Sequence, residues 1–94
     1  MRYAIYVEVS AFFAALKVFL TQLRRTHAQV LEGQCEGDHK LWRQCLFEIH
    51  ESLSVSLYRL PFHYRNQPDI RVVTSTMSEV VRMLSESKDV SKRL

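Results

Sequence analysis

The chain contains few of the residues that turn or cross-link a backbone: two glycines, two prolines and two cysteines among 94 residues. So little turn chemistry argues against a loop-rich β-sandwich or barrel and against a glycine-rich phosphate-binding loop. The two cysteines, Cys35 and Cys45, are too few for a disulfide-stabilised secreted scaffold. The length suits one hydrophobic core, so we treat 1–94 as a single domain.

Basic residues are in slight excess but are not concentrated. Thirteen Lys and Arg against ten Asp and Glu give a net charge of +3. Nucleic-acid-binding proteins usually gather their basic residues on one face, because several phosphates are neutralised together. A nucleic-acid partner is therefore not expected. A nucleic-acid-associated role is the alternative function, and its candidate residues are Arg24, Arg25, Arg65 and Arg71.

A long uninterrupted apolar run is also missing, although the N-terminus is very apolar. Glu8 and Lys17 leave only Val9–Leu16 uncharged between them, whereas a membrane-spanning helix needs about 20 apolar residues. Glu8 also interrupts the run that a signal peptide requires. The sequence therefore predicts a cytoplasmic protein without a membrane partner. A first helix that lies on a membrane surface is a further alternative.

The glycines and prolines divide the chain into three segments that contain neither residue. Gly33 and Gly37 form one pair and Pro61 and Pro68 the other, which leaves 1–32, 38–60 and 69–94 uninterrupted. Short connections make consecutive helices neighbours. The sequence therefore predicts an all-α fold, an antiparallel three-helix arrangement with long first and second helices.

Apolar residues recur at helical spacing in each segment. The stripe of the first helix consists of Ile5, Val9, Phe12, Leu16, Phe19, Leu23 and Val30, with Thr26 filling one position and Phe13, Leu20, His27 and Leu31 widening it. The stripe of the second consists of Leu41, Trp42, Cys45, Leu46, Ile49, Leu53, Leu57 and Leu60. The stripe of the third consists of Ile70, Val73, Met77, Val80 and Leu84.

Residues with capping preferences suggest where these helices begin and end. Gly33 stands where a C-terminal capping glycine belongs, and Asp38 is a candidate N-cap for the second helix. Thr76 and Glu79 have the spacing of a capping box, which predicts a helix over about 77–87. The polar residues 85–94 are then expected to form a frayed tail.

An α+β fold is the alternative, with short strands near 2–9, 53–59 and 70–75. The first of these stretches is rich in Tyr, Ile and Val, which favour strands. Leu53, Val55 and Leu57 alternate as they would in a half-buried strand. The β-branched residues of 70–75 suit a strand equally well.

Metal and catalytic chemistry are not expected. Cys35, His39, Cys45 and His50 are the residue types that bind zinc, but their spacing matches no compact zinc motif. On a helix, His39 and His50 would lie about 16 Å apart, too far for one ion. No local signature suggests a nucleophile with its base. The sequence predicts no catalytic residue, no metal and no cofactor, and hence no enzyme.

The first helix carries a second apolar face, opposite its main stripe. It consists of Tyr3, Val7, Ala11, Ala14 and Val18, again in steps of three and four. A peripheral helix of a three-helix domain needs only one apolar face. An additional exposed one usually marks a partner site, and small residues allow another helix to approach closely.

These observations predict a non-enzymatic protein–protein interaction module, acting as an adaptor, a homo-oligomer or a small subunit of a larger assembly. Its partner is a protein, either a second copy or a different chain, bound at the second face of the first helix. Phe47 and Tyr58 point away from the stripe of the second helix and are expected to extend the contact. A candidate recognition loop consists of Phe62, His63, Tyr64 and Arg65, because aromatic residues and Arg are enriched at binding hot spots.

Overall fold

The computed structural model describes the backbone of 2–59 and 70–94 and the side chains of 11–59 and 70–94. Three helices account for this part of the chain: α1 (Arg2–Glu32), α2 (Glu36–Arg59) and α3 (Ile70–Arg93). No strand occurs in the described ranges. The predicted all-α three-helix arrangement is confirmed.

The alternative α+β fold was wrong, since 2–9, 53–59 and 70–75 are all helical. Side-chain burial on α2 shows why the alternation there was misleading. Leu53 is buried and Leu57, four residues later, packs against the same cluster, whereas Val55 between them is 44% exposed. In a strand Val55 would share the buried face of Leu53 and Leu57, whereas a helix turns it to the other side.

The core consists of two successive clusters of buried side chains. The first contains Phe13, Leu16, Leu53 and Val73, and the second contains Leu23, Leu46, Val80 and Met83. From the first cluster to the second, residue numbers rise along α1 and α3 and fall along α2, so consecutive helices are antiparallel. The α2–α3 interface is the most extensive, and the α1–α2 interface is the smallest.

The buried side of α1 lies beside the predicted stripe rather than along its centre. Its buried residues are Phe13, Leu16, Leu23 and His27. Phe19 is 39% exposed and Thr26 is exposed, although the predicted stripe ran through both. The buried side includes His27 because side chains of α2 and α3 both form hydrogen bonds with its imidazole. On α2, Leu41 was also wrongly assigned to the core, since it is 62% exposed.

The connection between α1 and α2 differs from the predicted caps. The α2 helix begins at Glu36, and the Cys35 carbonyl accepts hydrogen bonds from the Asp38 and His39 amides at 3.2 and 3.3 Å. Cys35 therefore occupies the N-cap position that was predicted for Asp38. Gly33 does follow the last residue of α1, but neither glycine has a positive φ. The Gly33 amide donates to the Val30 carbonyl at 3.0 Å.

Helix α3 is longer at both ends than predicted. Thr76 is buried inside the helix, and its hydroxyl donates to the Val72 carbonyl at 2.6 Å, so it does not cap the N-terminus. The predicted frayed tail at 85–94 is helical as far as Arg93. Contacts with α2 explain this, because Ser87 is fully buried and Arg43 donates to the Ser91 hydroxyl at 2.6 Å.

Two adjacent residues of α2 provide a test of this core. Leu46 is 0% exposed and Phe47 is 62% exposed. We expect Leu46→Ala to lower the free energy of unfolding by about 2–5 kcal/mol, through lost burial and a residual cavity. Phe47→Ala should change it by less than about 0.5 kcal/mol. Chemical denaturation followed by circular dichroism measures both, and equal effects would contradict the orientation of α2.

Candidate functional site

The second apolar face predicted on α1 lies on the exposed side of the helix wherever its side chains are described. We call this face, consisting of Tyr3, Val7, Ala11, Ala14 and Val18, the outer strip. Ala11 and Ala14 are exposed, and Val18 is 62% exposed. The side chains of Tyr3 and Val7 lie outside the described residues. The backbone at both positions is helical, which keeps them in register with the other three.

A chain of three side chains fixes the rotation of α1 about its own axis. The Trp42 indole nitrogen donates to His27 Nδ1 at 2.9 Å. An indole N–H can only donate, so Nδ1 of the neutral imidazole is unprotonated and Nε2 carries the hydrogen. Nε2 then donates to the Glu86 carboxylate at 3.1 Å. His27 on α1 is thereby joined to both α2 and α3.

Ion pairs between α1 and α3 continue this chain toward solvent. Arg24 binds Glu79 through two hydrogen bonds, with Nε–Oε1 and Nη2–Oε2 distances of 2.7 and 2.9 Å. Arg82 contacts two carboxylates of α3, at 3.4 Å from Glu79 and 2.6 Å from Glu86. The hydrogen bond from Arg24 holds the pKa of Glu79 below its usual value, despite the opposing effect of partial burial. These contacts fix the side of α1 that faces α3.

The orientation of the outer strip follows from these anchors. His27 lies eleven residues after Leu16, so the two share one side of a helix with 3.6 residues per turn. Val18 is two residues from Leu16 and therefore lies on the far side of α1. Ala11 and Ala14 share that side with Val18 because helical neighbours are three and four residues apart. Burial of Leu16 and exposure of Val18 agree with this arrangement.

A second polar cluster stabilises the connection between α1 and α2. His39 is fully buried, and its Nε2 donates to the Gly33 carbonyl at 2.8 Å. The Ser87 hydroxyl lies 3.4 Å from the other ring nitrogen, Nδ1, and also 3.4 Å from Arg43 Nη1. Both imidazole nitrogens are thus used inside the protein. The role of His39 is to join the connection to α3.

The zinc-type residues named from the sequence do not converge. His39 is buried, whereas Cys35 is exposed and Cys45 is half-buried, and both cysteines are free thiols. Over 11–59 and 70–94, where side chains are described, no group of three His, Cys, Asp or Glu side chains is arranged to hold a metal ion.

The basic residues of the alternative function are divided between different sides of the bundle. Arg24 is engaged by Glu79. Arg25 is exposed on α1 and Arg71 is exposed on α3. Arg65 lies outside the described residues, as does the whole candidate recognition loop of Phe62, His63, Tyr64 and Arg65.

Several exposed apolar side chains lie on α2 as well. Phe47 and Tyr58, which the sequence placed away from the stripe, are 62% and 81% exposed. Leu41, which the predicted stripe of the second helix includes, and Val55, which was assigned to an alternating strand, are 62% and 44% exposed. A shallow depression of about 600 Å³ is lined by residues that include Glu48, Glu51, Val55 and Arg59. The outer side of α2 therefore combines acidic and apolar groups.

No helix in the described part of the chain has the length and apolar character needed to cross a lipid bilayer. Comparison with known proteins adds no relative: no family model, curated protein or solved structure matches the chain. The function must therefore be argued from the surfaces just described.

The hydrogen bond from Trp42 to His27 can be tested by substitution. Trp42→Phe keeps an aromatic ring but removes the only donor that His27 Nδ1 has from α2. We expect the free energy of unfolding to fall by about 1–3 kcal/mol, because a part-buried acceptor loses its partner. Leu41→Ala is the control, since it truncates an exposed neighbour. Equal losses in the two variants would show that the indole hydrogen bond contributes nothing.

The ion pair between Arg24 and Glu79 predicts a specific pH dependence. A carboxyl group whose pKa is lowered on folding stabilises the protein at pH values above its usual pKa, which is near 4.5 for Glu79. That stabilisation is lost as the pH falls through the lowered pKa. Wild type should therefore exceed Glu79→Gln in unfolding free energy at neutral pH, and the difference should shrink in acid. A difference that is constant with pH would contradict the assignment.

Proposed function

We propose that the protein is a non-enzymatic interaction module that binds a protein partner along the outer strip of α1. The observation that supports this most directly is Val18, an aliphatic side chain 62% exposed on the side of α1 opposite its core contacts. Ala11 and Ala14 continue the same exposed side. Small side chains allow a partner helix to approach the α1 backbone closely.

The packing of α1 within the bundle also favours a partner. Helices α2 and α3 bury their apolar sides chiefly against each other, and α1 shares a smaller interface with each.

The free energy available from such a contact is of the same order as the cost of association. Burial of about 400 Å² of apolar surface contributes on the order of 10 kcal/mol at about 25 cal/mol per Å². The loss of translational and rotational freedom then subtracts several kcal/mol. The proposal places the module in the cytoplasm as an adaptor or subunit, where the thiols of Cys35 and Cys45 remain reduced.

The outer strip can be disabled without touching the core. The double substitution Ala14→Glu with Val18→Glu places two charges in the strip, where their burial against a partner is costly. We expect wild type to associate or aggregate above its monomer mass of 11.1 kDa, and the double variant to return to that mass with unchanged helicity. Light scattering and circular dichroism measure these properties.

A matched control introduces the same charges elsewhere. Ser78→Glu with Ser85→Glu alters two exposed positions of α3, and should leave the mass as in wild type. A monodisperse wild-type monomer whose mass and solubility do not respond to the strip substitutions would overturn the proposal.

A further inference from the structure

We infer that the partner of the outer strip is the outer side of α2 in a second copy of the chain. The inference rests on the proposed function, because it identifies the surface that covers the strip. Charge is the first argument. On α1, the exposed residues between Ala11 and Gln29 include Lys17, Arg24 and Arg25 but no acidic side chain. On α2, the exposed charged residues from Leu41 to Arg59 are Glu48, Glu51 and Arg59, so acidic side chains are in excess.

The charges that face outward are available for an intermolecular contact. Arg24 is already bound to Glu79. Within the described chain, none of the ion pairs includes Arg25 or Glu48. The two residues point outward from different helices, and no ion pair joins them within the described chain. A second copy can bring them together.

The spacing of the two surfaces is the second argument. Val18 and Arg25 are seven residues apart on α1, and Glu48 and Val55 are seven residues apart on α2. Seven residues are about two helical turns, or about 10 Å. When α1 of one copy packs antiparallel to α2 of another, Val18 meets Val55 in the same register that brings Arg25 to Glu48. An apolar contact and an ion pair are then formed together.

The relief of the two surfaces agrees with this register. Val55 and Glu48 line the shallow depression on α2. Val18 stands out from α1 beside Ala14, whose small side chain leaves room for the rim of that depression. The α2 surface that receives the strip is thus recessed, and its charged residues are Glu48, Glu51 and Arg59.

The resulting interface is head-to-tail, because each contact joins α1 of one copy to α2 of the next. Such contacts close into rings or continue as open chains, and they are not limited to a dimer. The mass of the protein should therefore rise beyond that of two chains as its concentration increases. Added salt should weaken the association, because the ion pair lies at the rim of the contact.

Charge reversal tests the pairing. Arg25→Glu and Glu48→Arg should each weaken association by about tenfold, since each places like charges opposite one another. An equimolar mixture of the two variants should restore association, because every head-to-tail contact between one variant and the other again joins a basic to an acidic residue. Arg71→Glu, at an exposed position of α3, is the matched control and should associate as wild type does. Light scattering over a concentration series, with circular dichroism for helicity, gives the result.

The remaining outcomes separate this inference from the proposed function. If the strip substitutions abolish association while Glu48→Arg leaves it unchanged, the strip is an interface but α2 is not its partner. If both single variants dissociate and the mixture stays dissociated, the direct pairing of Arg25 with Glu48 is refuted. If wild type is a monomer at every concentration, self-association is excluded and the inference fails.

Discussion

An indole N–H sets the orientation of α1. Because Trp42 can only donate to His27 Nδ1, it leaves the opposite ring nitrogen to donate to Glu86, and one imidazole joins the three helices at a single level. Once His27 is turned inward, Leu16 and Leu23 must face the core and Val18 must face away. The exposure of the outer strip is therefore a consequence of a hydrogen bond made elsewhere on the helix.

The three-helix architecture could be predicted because local signals agreed with it, while the finer details depended on contacts between helices. Steps of three and four residues on α1 fit two adjacent lines, one through Phe19 and the other through His27. Periodicity cannot choose between them, since the choice is made by Trp42 and Glu86, which are distant in sequence. The predicted capping role of Thr76 was also wrong because this residue is buried inside α3. Burial against neighbouring helices overrides a local preference.

The outer strip was predictable from the sequence because α1 has more apolar residues than one buried face requires. Its surroundings were not. Arg24 and Glu79 are 55 residues apart in the sequence. No local pattern predicts that Arg24, rather than the adjacent Arg25, forms this ion pair. Likewise Leu41 belongs to the predicted stripe of the second helix but is exposed, and Val55, assigned to an alternating strand, is exposed on a helix. The exposure of these apolar side chains depends on how α2 packs against the other helices, which the sequence alone does not show.

The unequal interfaces of the bundle have a dynamic consequence. Local opening of a folded protein proceeds through cooperative units that share few buried contacts with their surroundings. Helices α2 and α3 form the most extensive interface, while α1 is joined to them by the smaller ones. The amide hydrogens of α1 should thus exchange with solvent through detachment of that helix alone, before the α2–α3 hairpin opens. A partner that covers α1 would slow this exchange and make the three helices one cooperative unit.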